Sequence, residues 1–141
     1  MTRVDFYVLG TPGDRVRQQF ACRLAEKAYR LDNTIHIRTT DQRAAERLDE
    51  LLWTFRDGSF VPHELSTGSA EAESPITISH EDSPRQQTDL LINLTDQVPT
   101  GCDAFPRVAE IVTSDEEARQ QSRKRYAQYR ELGHTLETHK I

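Results

Sequence analysis

Sulfur, large aromatic rings and long apolar runs are all scarce in this chain. Its 141 residues include two cysteines, one methionine and one tryptophan. Two cysteines cannot build a disulfide framework. Cys22 falls inside a helical pattern and Cys102 in an expected loop, so both read as free thiols of a reducing compartment. No apolar stretch approaches the ~20 residues of a membrane span. The opening MTRVDFYVLG lacks the basic, apolar, small-residue order of a signal peptide, so a cytoplasmic location is expected. The five histidines (His36, His63, His80, His134, His139) and the cysteines show no Cys-x-x-Cys or His-x-x-x-His spacing. No metal site is expected from them.

What is present is a well-solvated composition, 35% hydrophobic and 29% charged, with a formal net charge of -5. That length and balance fit one α/β or α+β domain over residues 1–141. The acidic total argues against strong direct nucleic-acid binding, which needs clustered cations to displace counterions. It leaves room for a local basic patch.

Arg3–Leu9 carries the β-branched and aromatic content of a buried strand. After the Gly10-Thr11-Pro12-Gly13 turn, Asp14 can cap a helix over Arg15–Leu31, where Val16, Phe20, Leu24, Ala28 and Leu31 recur at helical spacing. Thr34–Thr39 alternates as a second strand. A second helix runs from about Asp41 to Trp53, followed by a polar turn around Asp57-Gly58 and a short apolar island, Phe60-Val61-Pro62-His63. Leu65–Ser74 reads as a loop, and Pro75–Ser79, Asp89–Leu94 and Arg107–Val112 as further strands. The order β-α-β-α-β-β-β-α predicts a mainly parallel sheet covered by helices, with room for some antiparallel strands.

The last quarter inverts the sign of the chain. Ser114 and Glu117 have capping-box spacing, and Gly133 is placed to end the helix in a left-handed conformation. Between them stand Arg119, Arg123, Arg125, Tyr126, Tyr129 and Arg130. At about 100° per residue, Arg119, Arg123, Tyr126 and Arg130 share one narrow arc. Ala118, Ser122, Tyr129 and Leu132 share the adjacent one, which is expected to face the core. A solvated helix face is the ordinary meaning of such charges, but this arc carries cations alone. A cationic ridge beside a tyrosine suits an anionic peptide.

Catalytic patterns are poorly represented. Gly10–Gly13 joins strand to helix but is neither Gly-x-Gly-x-x-Gly nor a Walker loop, and Pro12 removes a backbone donor an anion would use. A tight structural turn is the simpler account. Asp57-Gly58-Ser59 and His63-Glu64 sit in no recognisable nucleophile elbow. The Phe60–His63 island has two readings, a core plug or, with Trp53, an exposed aromatic anchor for a partner.

The segment LDELLWTFRDGSFVPHEL (48–65) resembles the chi subunits of bacterial DNA polymerase III. So do Arg125-Tyr126-Ala127-Gln128-Tyr129-Arg130 with Gly133, and the first strand with Asp5-Phe6-Tyr7. The likeness runs from end to end. It implies an α/β three-layer sandwich, Rossmann-like but without a phosphate-binding loop. It also implies a non-catalytic accessory subunit of a DNA-directed DNA polymerase, acting in the clamp-loader complex during DNA replication, with no cofactor. Such proteins bind the acidic, phenylalanine-terminated tail of single-stranded-DNA-binding protein. A separate surface of theirs takes the psi subunit or an accessory helicase. By position, the tail site falls on Val112, Arg119, Arg123, Tyr126 and Gly133, and the second surface on Trp53, Phe60, Val61 and Pro62. Arg119 stands where many relatives have lysine, which keeps the charge but offers a planar fork.

Two other classes compete with the adaptor. One is a small Rossmann-like enzyme or nucleotide-binding protein with an unrecognised site, which nucleotides would stabilise thermally. The other is direct DNA binding through the arginine helix, with a steep salt dependence on naked oligonucleotide.

Overall fold

The computed structural model describes residues 2–54, 62–65, 74–80 and 88–141. In chain order these form β1 (Arg3–Val8), α1 (Asp14–Arg30), β2 (Ile35–Arg38), α2 (Gln42–Thr54), β3 (His63–Leu65), β4 (Ile76–Ser79) and β5 (Leu90–Asn93). A 3-10 turn (Cys102–Ala104), β6 (Arg107–Val112), α3 (Glu116–Glu131) and β7 (Thr135–Lys140) complete the order. The strands make one seven-stranded sheet in the order β3-β4-β2-β5-β6-β1-β7. Every pairing in it is parallel, so the allowance for antiparallel strands is not used.

Connection handedness sorts the helices into layers. From β1 the chain steps across β6 and β5 to β2, whereas from β6 it steps the opposite way across β1 to β7. Right-handed crossovers must then put α1 and α3 on opposite faces. The packing agrees. Ala21, Ala25 and Leu48 of α1 and α2 pack with Ile37, Ile92 and Ile111 on one side. Tyr129 of α3 packs with Val4, Phe6, Phe105 and Val108 on the other. The result is the expected three-layer α/β sandwich. Strands β4 and β5 are buried on both faces; β5 is accordingly a near-continuous apolar run, while β4 alternates and buries Thr77 and Ser79. Ile35, Ile37, Ile76 and Ile78 are fully buried, each contributing roughly 1.5–3 kcal/mol relative to exposure.

Helix ends depart from expectation in informative ways. Gly13, with φ 107, is the N-cap of α1, and Asp14 lies inside the first turn, where it faces the positive end of the helix dipole. Asp115, not Ser114, caps α3. Its carboxylate accepts the Ala118 amide at 3.3 Å and the Thr113 hydroxyl at 2.6 Å, so the Ser114–Glu117 capping box is not formed. Gly133 ends α3 as expected, at φ 85. The amides of Gly133 and His134 bond back to the carbonyls of Arg130 and Tyr129, which is a Schellman closure. Two strands were missed. β3 includes the last residue of the apolar island, and β7 follows directly from the Gly133 turn.

Candidate functional site

Helix α3 is fixed to the sheet through one buried carboxylate. Glu110 of β6 has no solvent exposure. It accepts Arg125 Nε at 3.1 Å, the Tyr129 hydroxyl at 2.6 Å and Asn93 Nδ2 at 2.7 Å. Burial pushes the Glu110 carboxyl upward, and Arg125 and the two neutral donors oppose that shift. Burial and the nearby carboxylate also push the Tyr129 hydroxyl far up, so it stays protonated and donates. The inward stripe of α3 is therefore Ala118, Ser122, Arg125 and Tyr129, the first two half-buried. Leu132, expected in the core, is 61% exposed because it lies at the C-cap beyond the last turn over the sheet. Arg125 and Tyr129 are buried and bonded to Glu110.

Arg119, Arg123 and Arg130 remain outside. All three are exposed, and among the described residues none enters an ion pair. Tyr126 shares their arc. It is half-buried, and its ring lies 5.3 Å from that of Phe6 on β1. The cationic arc therefore overlooks the β1–β7 side of the sheet. Val112, at the end of β6, is register-paired with Val8, itself half-buried. Arg119, Arg123 and Tyr126 thus lie toward one flank of α3, with Val112 and Val8 at the strand ends near its N-terminus, whereas the Gly133 turn closes the opposite end of the helix. The opposite flank is a separate groove lined by Gln121, Lys124, Gln128 and the Asp96–Val98 segment.

A nucleotide in an open α/β sheet would sit outside the strand ends, where neighbouring connections diverge. Here that crevice lies between the N-termini of α1 and α3, and Asp14, Asp96, Asp115 and Glu117 line it beside Arg17 and Arg125. The Thr113 hydroxyl, with the Ala118 and Gly13 amides, holds the Asp115 carboxyl below its ordinary value. Four carboxylates around one opening oppose a polyphosphate.

The second expected surface is only partly within the described residues. Phe60 and Val61 lie outside them. Trp53, near the end of α2, is 52% exposed, and Pro62 is half-buried. The Trp53 ring stands 4.7 Å from that of His63, which in turn bonds the Asp49 carbonyl at 3.0 Å. An exposed indole held in place by a neighbouring ring is a ready interface anchor.

Sequence reasoning also missed a cluster at the far edge. Asp5, Glu137 and His139 place their ligand atoms within 4.8 Å of one another. Asp5, however, already accepts Arg3 Nε, Arg107 Nη2 and His139 Nε2. Burial works to raise the Asp5 carboxyl, and the bonds from His139, Arg107 and Arg3 outweigh it and hold the group below its ordinary value. Two guanidinium groups on one carboxylate make this an ion network that ties β7 to β1 and β6, not a cation site. Cys22 and Cys102 are free and buried. Burial pushes the Cys22 thiol up to about 12, so it is unreactive in the folded state.

Comparison with known proteins gives a consistent outcome. The family model described as DNA polymerase III chi subunit, HolC, matches residues 1–137. The DNA polymerase III subunit chi of Pseudomonas aeruginosa is 40% identical over 141 residues, covering all of this chain and 98% of the relative. The subunit chi proteins of Haemophilus influenzae and Escherichia coli are 32% and 30% identical, over 97% and 98% of this chain and 96% and 97% of their own lengths. A solved structure, a Dbp5 variant of S. cerevisiae bound to RNA and ADP BeF3, aligns with a TM-score of 0.61 at 8% identity. It covers 98% of this chain and 41% of that one, a likeness of fold alone.

Proposed function

The chain belongs to the DNA polymerase III chi subunit family, and we propose on that footing that it is a non-catalytic adaptor of the clamp-loader complex. Its task is to join the replication machinery to coated single-stranded DNA by holding the acidic C-terminal tail of single-stranded-DNA-binding protein. The observation that carries this reading is the pairing state of α3. Arg125 is consumed internally by Glu110, while Arg119, Arg123 and Arg130 stand exposed beside Tyr126 and the Val8–Val112 floor.

The chemistry follows from what such a tail carries. Its terminal carboxylate needs a charged donor, its phenyl ring an apolar floor, and its aspartates a positive field for steering. A short flexible peptide loses ordering entropy on binding, so an affinity in the micromolar range is expected. Several tails on one coated strand raise the effective affinity through avidity. Trp53, with Phe60, Val61 and Pro62, supplies the second surface, for a psi subunit or a helicase that competes for the same place. The protein works in the cytoplasm in this scheme, and no described helix is long and apolar enough to cross a membrane.

A pull-down with the terminal acidic peptide, with and without its last phenylalanine, tests the proposal. Capture that depends on both the acids and the ring supports it. Equal capture of a scrambled peptide of the same charge contradicts it.

A further inference from the structure

The C-terminal strand brings one more cation to the flank that carries the exposed arginines. β7 pairs in register with β1 so that Leu136, Thr138 and Lys140 stand opposite Val4, Phe6 and Val8. Register-paired residues of neighbouring parallel strands project to the same face, and alternate residues share it. Val4 and Phe6 lie in the core beneath α3, and Leu136 packs on that same cluster. Lys140 is therefore on the α3 face of the sheet. β1 pairs with β6 so that Val8 stands opposite Val112. Val112, Val8 and Lys140 thus form one row across three adjacent strands, spanning about 10 Å at ordinary strand spacing. The row lies at the strand ends from which α3 departs, close to its Arg119 turn.

Lys140 is exposed and, among the described residues, has neither an ion pair nor a side-chain hydrogen bond. The other cations near this edge differ. Arg3 is bonded to Asp5 and Glu137, and Arg107 to Asp5. The backbone adds to the contrast. Thr135 and Ile141 donate their amides to β1, at Thr2 and Val8. By alternation, the amide and carbonyl of Thr138 and Lys140 face the open edge of the sheet.

We propose that Lys140 is a binding residue for the acidic peptide, closing the outer end of the trough whose inner wall is α3. The tail lies over Val8 between the arginine arc and β7. One of its carboxylates meets the Lys140 ammonium from the side opposite Arg119 and Arg123. This inference rests on the tail-binding reading and adds to it a specificity-determining charge that comes from the edge strand, not from the helix.

Calorimetric titration separates the two ideas. The probes are the acidic, phenylalanine-terminated peptide and its analogue with asparagine for each aspartate. Lys140→Ala is expected to weaken the acidic peptide about three- to fivefold, the range of a solvent-exposed charge pair. It should leave the amide analogue nearly unchanged. Lys140→Glu should weaken the acidic peptide about tenfold or more through repulsion, and Lys140→Arg should restore it. Full affinity in Lys140→Ala together with a clear loss in Arg123→Ala overturns the Lys140 assignment and leaves the tail site standing. Full affinity in both variants overturns the flank as the tail site, and this inference with it.

Discussion

Arg125→Ala separates the cations that hold the fold from those that meet a ligand. In the native domain Arg125 is 3% exposed and gives Nε to a Glu110 carboxylate with no exposure at all. Removing the guanidinium leaves that carboxylate with two neutral donors, Asn93 and Tyr129, and the more distant charge of Arg17. Breaking a buried pair on one side costs about 3–5 kcal/mol. At about 2–4 °C per kcal/mol for a domain near this size, the melting temperature should fall by roughly 10 °C. Arg123→Ala removes an exposed, unpaired side chain and should stay within about 0.5 kcal/mol of the parent. Thermal unfolding of the two variants at neutral pH makes the comparison. The cost should also depend on pH. Without Arg125 the folded-state pKa of Glu110 rises further above its unfolded value, so the folded protein holds a proton that the unfolded chain releases. Stability of Arg125→Ala therefore declines as pH rises through that window, and the deficit is smaller near pH 5 than near pH 8. Adding Glu110→Gln should recover part of the loss, since the orphaned charge goes with it. If Arg125→Ala melts like Arg123→Ala, the buried network does not anchor α3.

Asp5→Asn should cost about 2 kcal/mol, the scale of hydrogen bonds made to a charged group. Because the folded Asp5 carboxyl sits below its ordinary value, its contribution is present above about pH 4 and is lost as pH falls through the folded pKa. The acid limb of the stability curve should therefore be shallower in Asp5→Asn than in the parent, which denaturant titration across pH can read. Trp53→Ala should leave both stability and tail affinity close to the parent, yet weaken capture of a psi or helicase partner by more than tenfold, as loss of an interface aromatic does. Equal capture by the variant would remove Trp53 from the second surface.

The sequence discloses most of this architecture where periodicity is strong. Val16, Phe20 and Leu24 mark α1 through 3.6-residue spacing, and the RVAEIV run marks β6 to the residue. β7 was illegible because Thr-Leu-Glu-Thr-His-Lys has a single apolar residue, Leu136, as an exposed edge strand can. Arg119, Arg123 and Tyr126 could be grouped from helical spacing alone. The same spacing leaves Arg125 off that arc, but its buried role could not be read, because its partner Glu110 lies on a different element and looks like any strand glutamate. Lys140 and the Asp5–His139 bond were out of reach for the same reason. The latter joins residues 134 positions apart, and only the pairing of β1 with β7 brings them together.

In the proposed function, exposed arginines on α3 grip an acidic, phenyl-ended peptide. Calorimetry of that peptide against the parent, Arg119→Ala and Arg123→Ala, run beside matched melting curves, tests it most directly. Affinity should fall markedly in both variants, and in the parent as salt is raised, while all three proteins melt together. Unaltered affinity in both variants would contradict the claim.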